Sequence, residues 1–447
     1  MAFPTPEFWA RFSEDHWENA PLVLRRPFPE PFATPARVWG ALVAACERFR
    51  AGESVRLRLF GEQGLVVADL DRLLPDARDG CFTGYAARLA RDPAWPAFTL
   101  VANYVHVHDH DLWLWARQFL SGLYARVGIP AHHADVDVFV SNRRRTPFGI
   151  HRDPASNFTF VLEGRKTMRL WPQDAFARRP RMDAEGDAGY GEQTLTLEGE
   201  AGDVLYWPSS YWHVADSTGE LSATLNVSLY LDATADAPGF PGLDLVSQRA
   251  RAIVGRRLRG RRPPATCEAG PLGAAGLPEA IGQVLEAYEQ IGREGALARD
   301  VIGVWLARLS AGGFDKVPPP LPAAPLQDRD EVWLDPAFPI LCRPIGGEVA
   351  LSAQGRTVFW PRASAALVAL VDRLNRGERV EVGRLLRELT SSRAAVAAFK
   401  SLLEMLASWR CLQRASSPSL RGEREDALPS LCGADRGAST DHVHARL

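Results

Sequence analysis

Between residues 134 and 232 the chain changes texture, and that change limits the fold more than any other feature. Asp135-Val-Asp-Val-Phe-Val alternates polar and apolar side chains with a period of two. Asn157–Leu162, Lys166–Trp171, Gln193–Leu197, Val204–Trp207 and Ser222–Leu231 follow as short strand-like runs. Turn residues separate them: Glu163-Gly164, Pro172, Gly202-Asp203 and Pro208-Ser-Ser. Many short strands punctuated in this way predict a barrel or sandwich.

The flanks read differently. Thr34 followed by Pro35 is a helix start, Val55–Phe60 alternates as a strand, and Asp111–Val127 is an amphipathic helix stopped near Gly128. A helix-rich stretch occupies 239–315. A stiff proline-rich linker, 316–329, leads to a last unit over 330–412. That unit begins with a short strand and a hairpin (Glu348–Phe359) and continues in helices over Ala363–Arg373, Val382–Leu389 and Arg393–Leu406. Its β-then-α order suits a winged-helix-like domain. The tail, 413–447, is rich in Ser, Gly, Asp and His and is expected to be disordered, with His442 and His444 idle.

The chemistry centres on Ile150-His-Arg-Asp-Pro. Alternate side chains of a strand share a face, so His151 and Asp153 are expected to point the same way, with Arg152 opposite. One imidazole and one carboxylate need a further His to complete the facial triad that holds Fe(II) and leaves three positions open. His213 is available 60 residues beyond Asp153. The turn at Gly202-Asp203, the strand Val204–Trp207 and the turn at Pro208-Ser-Ser are placed to return it to the first pair. Alone, His-x-Asp is a weak signal that chance supplies often.

The surrounding residues raise it. H-R-D-P-A-S-N-F-T-F-V-L-E-G-R-K-T-M-R-L-W, then G-D-V-L-Y-W-P-S-S-Y-W-H, then T-L-N-V-S-L-Y resembles the JmjC and cupin-type Fe(II)/2-oxoglutarate oxygenases. The likeness is nearest the bacterial ribosomal-oxygenase-like branch and the asparaginyl hydroxylases. It covers about residues 95–232, and extends more weakly to the helices and the last domain. It implies a mainly β core, a double-stranded β-helix spanning 1–238 together with N-terminal α/β elements. It also implies Fe(II), 2-oxoglutarate as cosubstrate and O2, giving hydroxylation of a C–H bond with release of succinate and CO2. Carried over by position, His151, Asp153 and His213 match the iron ligands. Lys166 matches the cation that pairs with the distal carboxylate of 2-oxoglutarate; Arg165 and Arg169 are the alternatives by composition, and the resemblance selects Lys166. A buried Lys needs such a partner. Asn157 and Asn226 match cosubstrate-contacting positions of some relatives, although Asn226 also reads as a ladder defect. One position departs. Where the asparaginyl hydroxylases carry a Thr three residues before the first His, this chain has Phe148. The second carboxylate partner must then lie elsewhere, with Tyr104 or Ser228 as candidates.

The resemblance implies a protein or peptide substrate, such as a ribosomal protein or a biosynthetic peptide. The same chemistry on a tRNA base or a free amino acid, or N-demethylation, are alternatives, as is a metal-binding cupin that is not an oxygenase. In the ribosomal oxygenases the part corresponding to 240–315 dimerises, so a homodimer is an expectation, and packing within one chain is the alternative. Seven Arg between 249 and 262 (Arg249, Arg251, Arg256, Arg257, Arg259, Arg261, Arg262) leave nucleic-acid contact open. The net charge of −2 argues for no such partner globally. Arg143-Arg144-Arg145 is either a steering patch or a solvated turn, and Gln173–Gly191 a candidate lid. His106, His108 and His110 alternate, but they run directly into a helix that Asp109 or Asp111 can cap, so a structural role is the better reading. Of Trp207, Tyr211 and Trp212, one is expected in the core and another in the substrate cavity. Six scattered Cys without a CxxC, an acidic aromatic N-terminus and no run of about 18 apolar residues suggest a cytoplasmic protein without a membrane span.

Overall fold

The alternation in the sequence becomes strands packed in two sheets. The structure, a computed structural model, describes residues 4–28, 33–130, 132–144, 146–176, 194–216, 219–231, 243–259, 279–294 and 296–415. In chain order the first strands are β1 (Leu22–Leu24), β2 (Leu57–Gly61), β3 (Gly64–Leu65), β4 (Thr99–Ala102), β5 (His133–Ser141) and β6 (Ala155–Glu163). Then come β7 (Arg165–Trp171), β8 (Leu195–Glu200), β9 (Val204–Trp207), β10 (Trp212–Asp216) and β11 (Ser222–Tyr230). The larger sheet has the order β1-β9-β6-β11-β5-β4-β2-β3, and the smaller β10-β7-β8. Together they form the mainly β core that the sequence predicts.

β11 is the central strand. It pairs along its length with β5 and β6, and sets Asn226 opposite both Asp137 and Thr159. The period of two then divides the side chains. Val138, Phe158, Phe160 and Leu225 join the apolar core under the helices. Asp137, Asn157, Asn226 and Ser228 point the other way and line a cavity between the sheets.

Five helices cover the outer face: α1 (Pro6–Asp15), α2 (Pro35–Arg50), α3 (Leu70–Leu73), α4 (Phe82–Leu89) and α5 (His110–Val127). The starts follow the capping residues. Thr5, Thr34 and Asp109 accept from Phe8, Arg37 and Leu112 N–H groups, with Pro at the first position of α1 and α2. An aromatic cluster joins helices to sheet. Trp9 meets Phe119 edge-on at 5.4 Å, Phe119 meets Phe158 at 5.2 Å, and Phe12 meets Tyr206 at 4.7 Å. Truncating one such buried ring costs about 3–5 kcal/mol. This packing fixes β6 and β9 from behind.

The step from β6 to β7 crosses from one sheet to the other through Gly164. Its φ is +71°, and a Cβ there would lie 2.0 Å from the Leu221 carbonyl oxygen. Only glycine fits this crossing.

The second half is helical and then mixed. α6 (Leu243–Arg257), α7 (Glu279–Arg293) and α8 (Ala296–Ser310) lead into the proline-rich segment. That segment is no free spacer. The Lys316 carbonyl accepts from His106 Nε2, the Pro318 carbonyl accepts from Arg356, Leu321 N–H donates to the Ser408 carbonyl, and Leu326 is buried. Proline supplies unpaired carbonyls, and neighbouring donors use them. The remaining elements are β12 (Glu331–Leu334), β13 (Leu341–Ile345), β14 (Glu348–Ala353), β15 (Arg356–Trp360), α9 (Ala365–Asn375), β16 (Val380–Glu381), α10 (Val382–Leu389), α11 (Arg393–Ser408) and β17 (Leu412–Ala415). They enclose a separate apolar core. β17 pairs with β12, so ordered chain continues past 412 to 415, beyond the boundary expected from composition. The rest of the tail lies outside the described residues. Arg117 of α5 ties the two halves. It donates to Gln354 Oε1 (2.7 Å) and the Ser310 carbonyl (2.8 Å), between the rings of Trp113 and Phe338. Among the described residues no helix is long and apolar enough to cross a membrane.

Candidate metal centre and its cavity

His151, Asp153 and His213 come together at one mouth of the two sheets. One ligand atom from each lies within 4.8 Å of the others. Asp153 Oδ2 is 3.9 Å from His151 Nε2 and 3.6 Å from His213 Nε2. The opposite ring nitrogens explain the orientation. His151 Nδ1 is 2.9 Å from the Gly149 carbonyl and His213 Nδ1 is 3.3 Å from the Tyr211 carbonyl. A carbonyl only accepts, so each Nδ1 donates its proton there and each Nε2 is the atom turned toward Asp153, where a metal would sit. Burial acts to raise the Asp153 pKa, but hydrogen bonding to His213 and the charges of His213, His151 and Arg58 bring it below the usual carboxylate value. The donor set therefore fits a divalent cation.

The local backbone differs from the regular strand expected for His-x-Asp. His151 makes a single antiparallel bridge with His213, with backbone N–O distances of 3.0 and 2.7 Å, and β6 begins only at Ala155. Pro154 lacks an N–H and ends the ladder there. The two histidines face each other because of this bridge. Glu18 anchors both segments from behind. Its carboxylate accepts from Ser156 Oγ on one side, and from Ser209 Oγ (2.5 Å) and Ser209 N–H (3.2 Å) on the other. Nothing in the sequence pattern singled out Glu18.

The cavity beside the triad has a volume of about 80 Å³. Lys166, Asn157 and Asn226 all line it, as do Thr146, Phe148, Asp137, Trp207 and Tyr230. Lys166 lies on β7, which is separated from the His151 bridge by β10 and not directly adjacent to it. Its side chain is half-buried, and desolvation pushes its pKa from 10.5 to about 8 although Asp216 acts to raise it. Asn157 accepts from Ser228 Oγ at 2.7 Å and donates to the Ala155 carbonyl, so these two residues satisfy each other. Asn226 accepts from Thr224 Oγ1. Of the two candidates for a second carboxylate partner, Ser228 is thus engaged, and Tyr104 lines a neighbouring recess. Thr146 is different: the residue lines this cavity, and its buried hydroxyl has no hydrogen-bond partner among the described residues. Sequence reasoning passed over it because it stands five residues before His151. Asp137 was also missed. Burial raises its pKa to about 6, against hydrogen bonds from Tyr104 N–H (2.9 Å) and Asn103 Nδ2 (2.7 Å).

The other readings resolve as follows. His106 and His108 lie on a 3₁₀ turn rather than a strand, and His106 is buried with its pKa pushed down to about 4 by desolvation. Trp207 belongs to the core and also lines the cavity, while Trp212 carries Arg152 at 5.6 Å over its ring. The basic run on α6 is partly neutralised. Arg249 pairs with Asp300, and Arg257 with Glu286, Gln283 and Gln290. Arg261 and Arg262 lie outside the described residues, as does the candidate lid beyond Phe176.

Residues 123–236 match the JmjC domain family. A 91-residue stretch, 20% of this chain and 18% of its relative, is 37% identical to the bifunctional lysine-specific demethylase and histidyl-hydroxylase NO66 of Dictyostelium discoideum. A longer stretch of 235 residues, 49% of this chain and 34% of its relative, is 26% identical to ribosomal oxygenase 1 of Gallus gallus. The chain thus spans about a third or less of the length of these curated relatives. Among solved structures, the ribosomal oxygenase YcfD from Escherichia coli aligns over 91% of this chain and 98% of its own, at 18% identity and a TM-score of 0.47. The chain carries a JmjC domain. Its curated relatives include a ribosomal oxygenase, which it resembles over 235 residues.

Proposed function

We propose that the chain is an Fe(II)- and 2-oxoglutarate-dependent oxygenase that hydroxylates a residue of a protein or peptide. The observation that carries this reading is the convergence of His151, Asp153 and His213 within 4.8 Å, beside a cavity that holds one lysine. The three residues would hold the metal, with both Nδ1 protons committed to backbone carbonyls. Lys166 and Thr146, which both line the cavity, would receive the distal carboxylate of 2-oxoglutarate with a cation and a hydroxyl. Asn226 and the Asn157–Ser228 pair would line the cosubstrate's other end. Phe148, 6.0 Å from the His151 ring, and Trp207 would exclude water from the reacting side. When bound, iron with 2-oxoglutarate and O2 supplies the C–H oxidation, with release of succinate and CO2.

The relatives' names, ribosomal oxygenase and histidyl-hydroxylase, support a protein residue as substrate, and a ribosomal protein within that class. The 330–412 unit reads as winged-helix-like. Its α10 buries Val382, Leu385 and Leu386, and its basic residues are paired, Arg384 with Glu388 and Arg387 with Glu381. A structural or protein-contact role suits that helix better than reading DNA.

The test is anaerobic addition of 2-oxoglutarate to the Fe(II)-loaded protein. A weak visible charge-transfer band should appear, and Asp153→Ala should abolish it. No band at saturating metal and cosubstrate would refute the oxygenase reading. A gain of 16 mass units on a peptide rather than a nucleoside (one oxygen inserted, as expected of such chemistry) would fix the substrate class.

A further inference from the structure

A second recess, of about 190 Å³, lies beside the metal cavity. Asn103 and Tyr104 link them: both line the recess, while the Asn103 amide and Tyr104 N–H hold Asp137, which lines the metal cavity. The recess is cationic. Arg56 and Lys316 are exposed and flank the Tyr104 ring, with Lys316 Nζ 3.8 Å and Arg56 Cζ 5.8 Å from its centroid. Neither makes an ion pair among the described residues. Arg58, two residues further on in β2, donates to Asn103 Oδ1 at 3.4 Å and stacks 5.5 Å over Phe148 at the rim of the metal cavity.

The other charges in and around the recess are accounted for. Arg48 is paired with Glu53 at 2.9 Å and approaches His108 Nδ1 at 3.5 Å. His108 is held neutral, its pKa pushed down to about 4 by desolvation and by Arg48. Asp315 adjoins Lys316 in sequence, and Asp135 and Asp137 lie behind the turn. Two cations therefore remain free beside an aromatic floor, in a space the size of a side chain.

We propose that this recess binds a carboxylate side chain of the polypeptide whose neighbouring residue occupies the metal cavity. The proposal rests on the protein-substrate reading above. Two free cations match one carboxylate, which can accept from both. A nucleic-acid backbone fits worse, because two neighbouring cations match a single carboxylate and are too few for a repeating phosphate backbone. Arg58 extends the docking face toward the metal cavity. The acidic residue would set the register of the substrate, so the recess would act as a specificity site.

The test uses fluorescein-labelled hexaglutamate on the full chain without added metal or 2-oxoglutarate, read by fluorescence anisotropy. Hexaglutamate should bind, more weakly as salt rises, and hexalysine should not. Arg56→Glu and Lys316→Glu should each raise Kd at least about tenfold, the scale of one charge-assisted contact, while Arg251→Glu on α6 leaves it unchanged. Both positions are exposed, and a melting temperature within about 2 °C of the parent confirms folding. No hexaglutamate binding, or binding indifferent to both substitutions, overturns the proposal. Hexauridylate binding more tightly than hexaglutamate with the same sensitivity overturns it in favour of a phosphate backbone. Because neither iron nor cosubstrate is present, failure here is distinct from failure of the charge-transfer test.

Discussion

Lys166→Met separates a functional lysine from a structural one, because the two roles predict opposite signs. The Lys166 pKa falls from an ordinary 10.5 to about 8 through desolvation. Between those values the unfolded chain binds more protons than the folded one, so stability contributed at this site rises with pH across that window. Below pH 8 the folded protein carries the whole cost of the desolvated charge, at most about 3 kcal/mol for a shift of this size. Methionine has a similar volume and no charge. At pH 7 the substitution should therefore leave the ligand-free protein as stable as the parent or more so, by up to about 3 kcal/mol, and should remove the rise in stability between pH 8 and 10.5. Its effect on 2-oxoglutarate is the reverse. Losing a charge-assisted contact of about 1.5–3 kcal/mol should weaken binding about 10- to 100-fold. Urea unfolding at several pH values gives the first quantity, and anaerobic titration of the Fe(II)-loaded protein gives the second. A variant that is markedly destabilised yet binds 2-oxoglutarate as the parent does would refute the assignment.

Three further outcomes follow from particular contacts. Thr146→Val removes a buried hydroxyl that has no partner among the described residues, so it should leave the ligand-free protein unharmed in urea while weakening 2-oxoglutarate about fivefold or more; equal affinity would return the second carboxylate contact to another residue. Glu18→Ala releases Ser156 and Ser209 together, and should cost about 2–3 kcal/mol in unfolding and lower the affinity for Co(II), followed by visible absorbance. Gly164→Ala places a Cβ 2.0 Å from the Leu221 carbonyl at φ +71°, and denaturant unfolding should show a loss of at least about 2 kcal/mol.

Much of this site was legible because period two is a property of the backbone. Alternation in Asp135–Val140 and the run Ser222–Leu231 read as strands, and in the folded sheet Asp137, Asn226 and Ser228 lie on the cavity face. The turns were equally readable, since Gly202 and Gly164 adopt positive φ. What the pattern lacked was information about partners distant in sequence. β6 and β7 look like a hairpin, but they belong to different sheets. His-x-Asp looked like strand pleating, whereas Pro154 interrupts the ladder and one bridge to His213 does the work. The proline-rich segment suggested a spacer by composition, and only His106, Arg356 and Ser408, 210, 38 and 87 residues away from their partners, reveal it as a strap.

The strap matters to the site because of where it starts. Lys316 is its first residue, and its backbone is fixed by buried His106 while its ammonium lies over Tyr104. Tyr104 holds a left-handed conformation, φ +60°, and its N–H grips Asp137 on the wall of the metal cavity. A left-handed non-glycine residue persists only where its surroundings determine it. Here the surroundings are Asp137 on one side and a residue from the second half of the chain on the other. The C-terminal half therefore contributes to the wall between the two cavities, and Arg117 clamps the same halves together through Gln354 and Ser310. That connection gives a physical reason for a catalytic core to carry the rest of this chain: the C-terminal half shapes the face on which a substrate would lie.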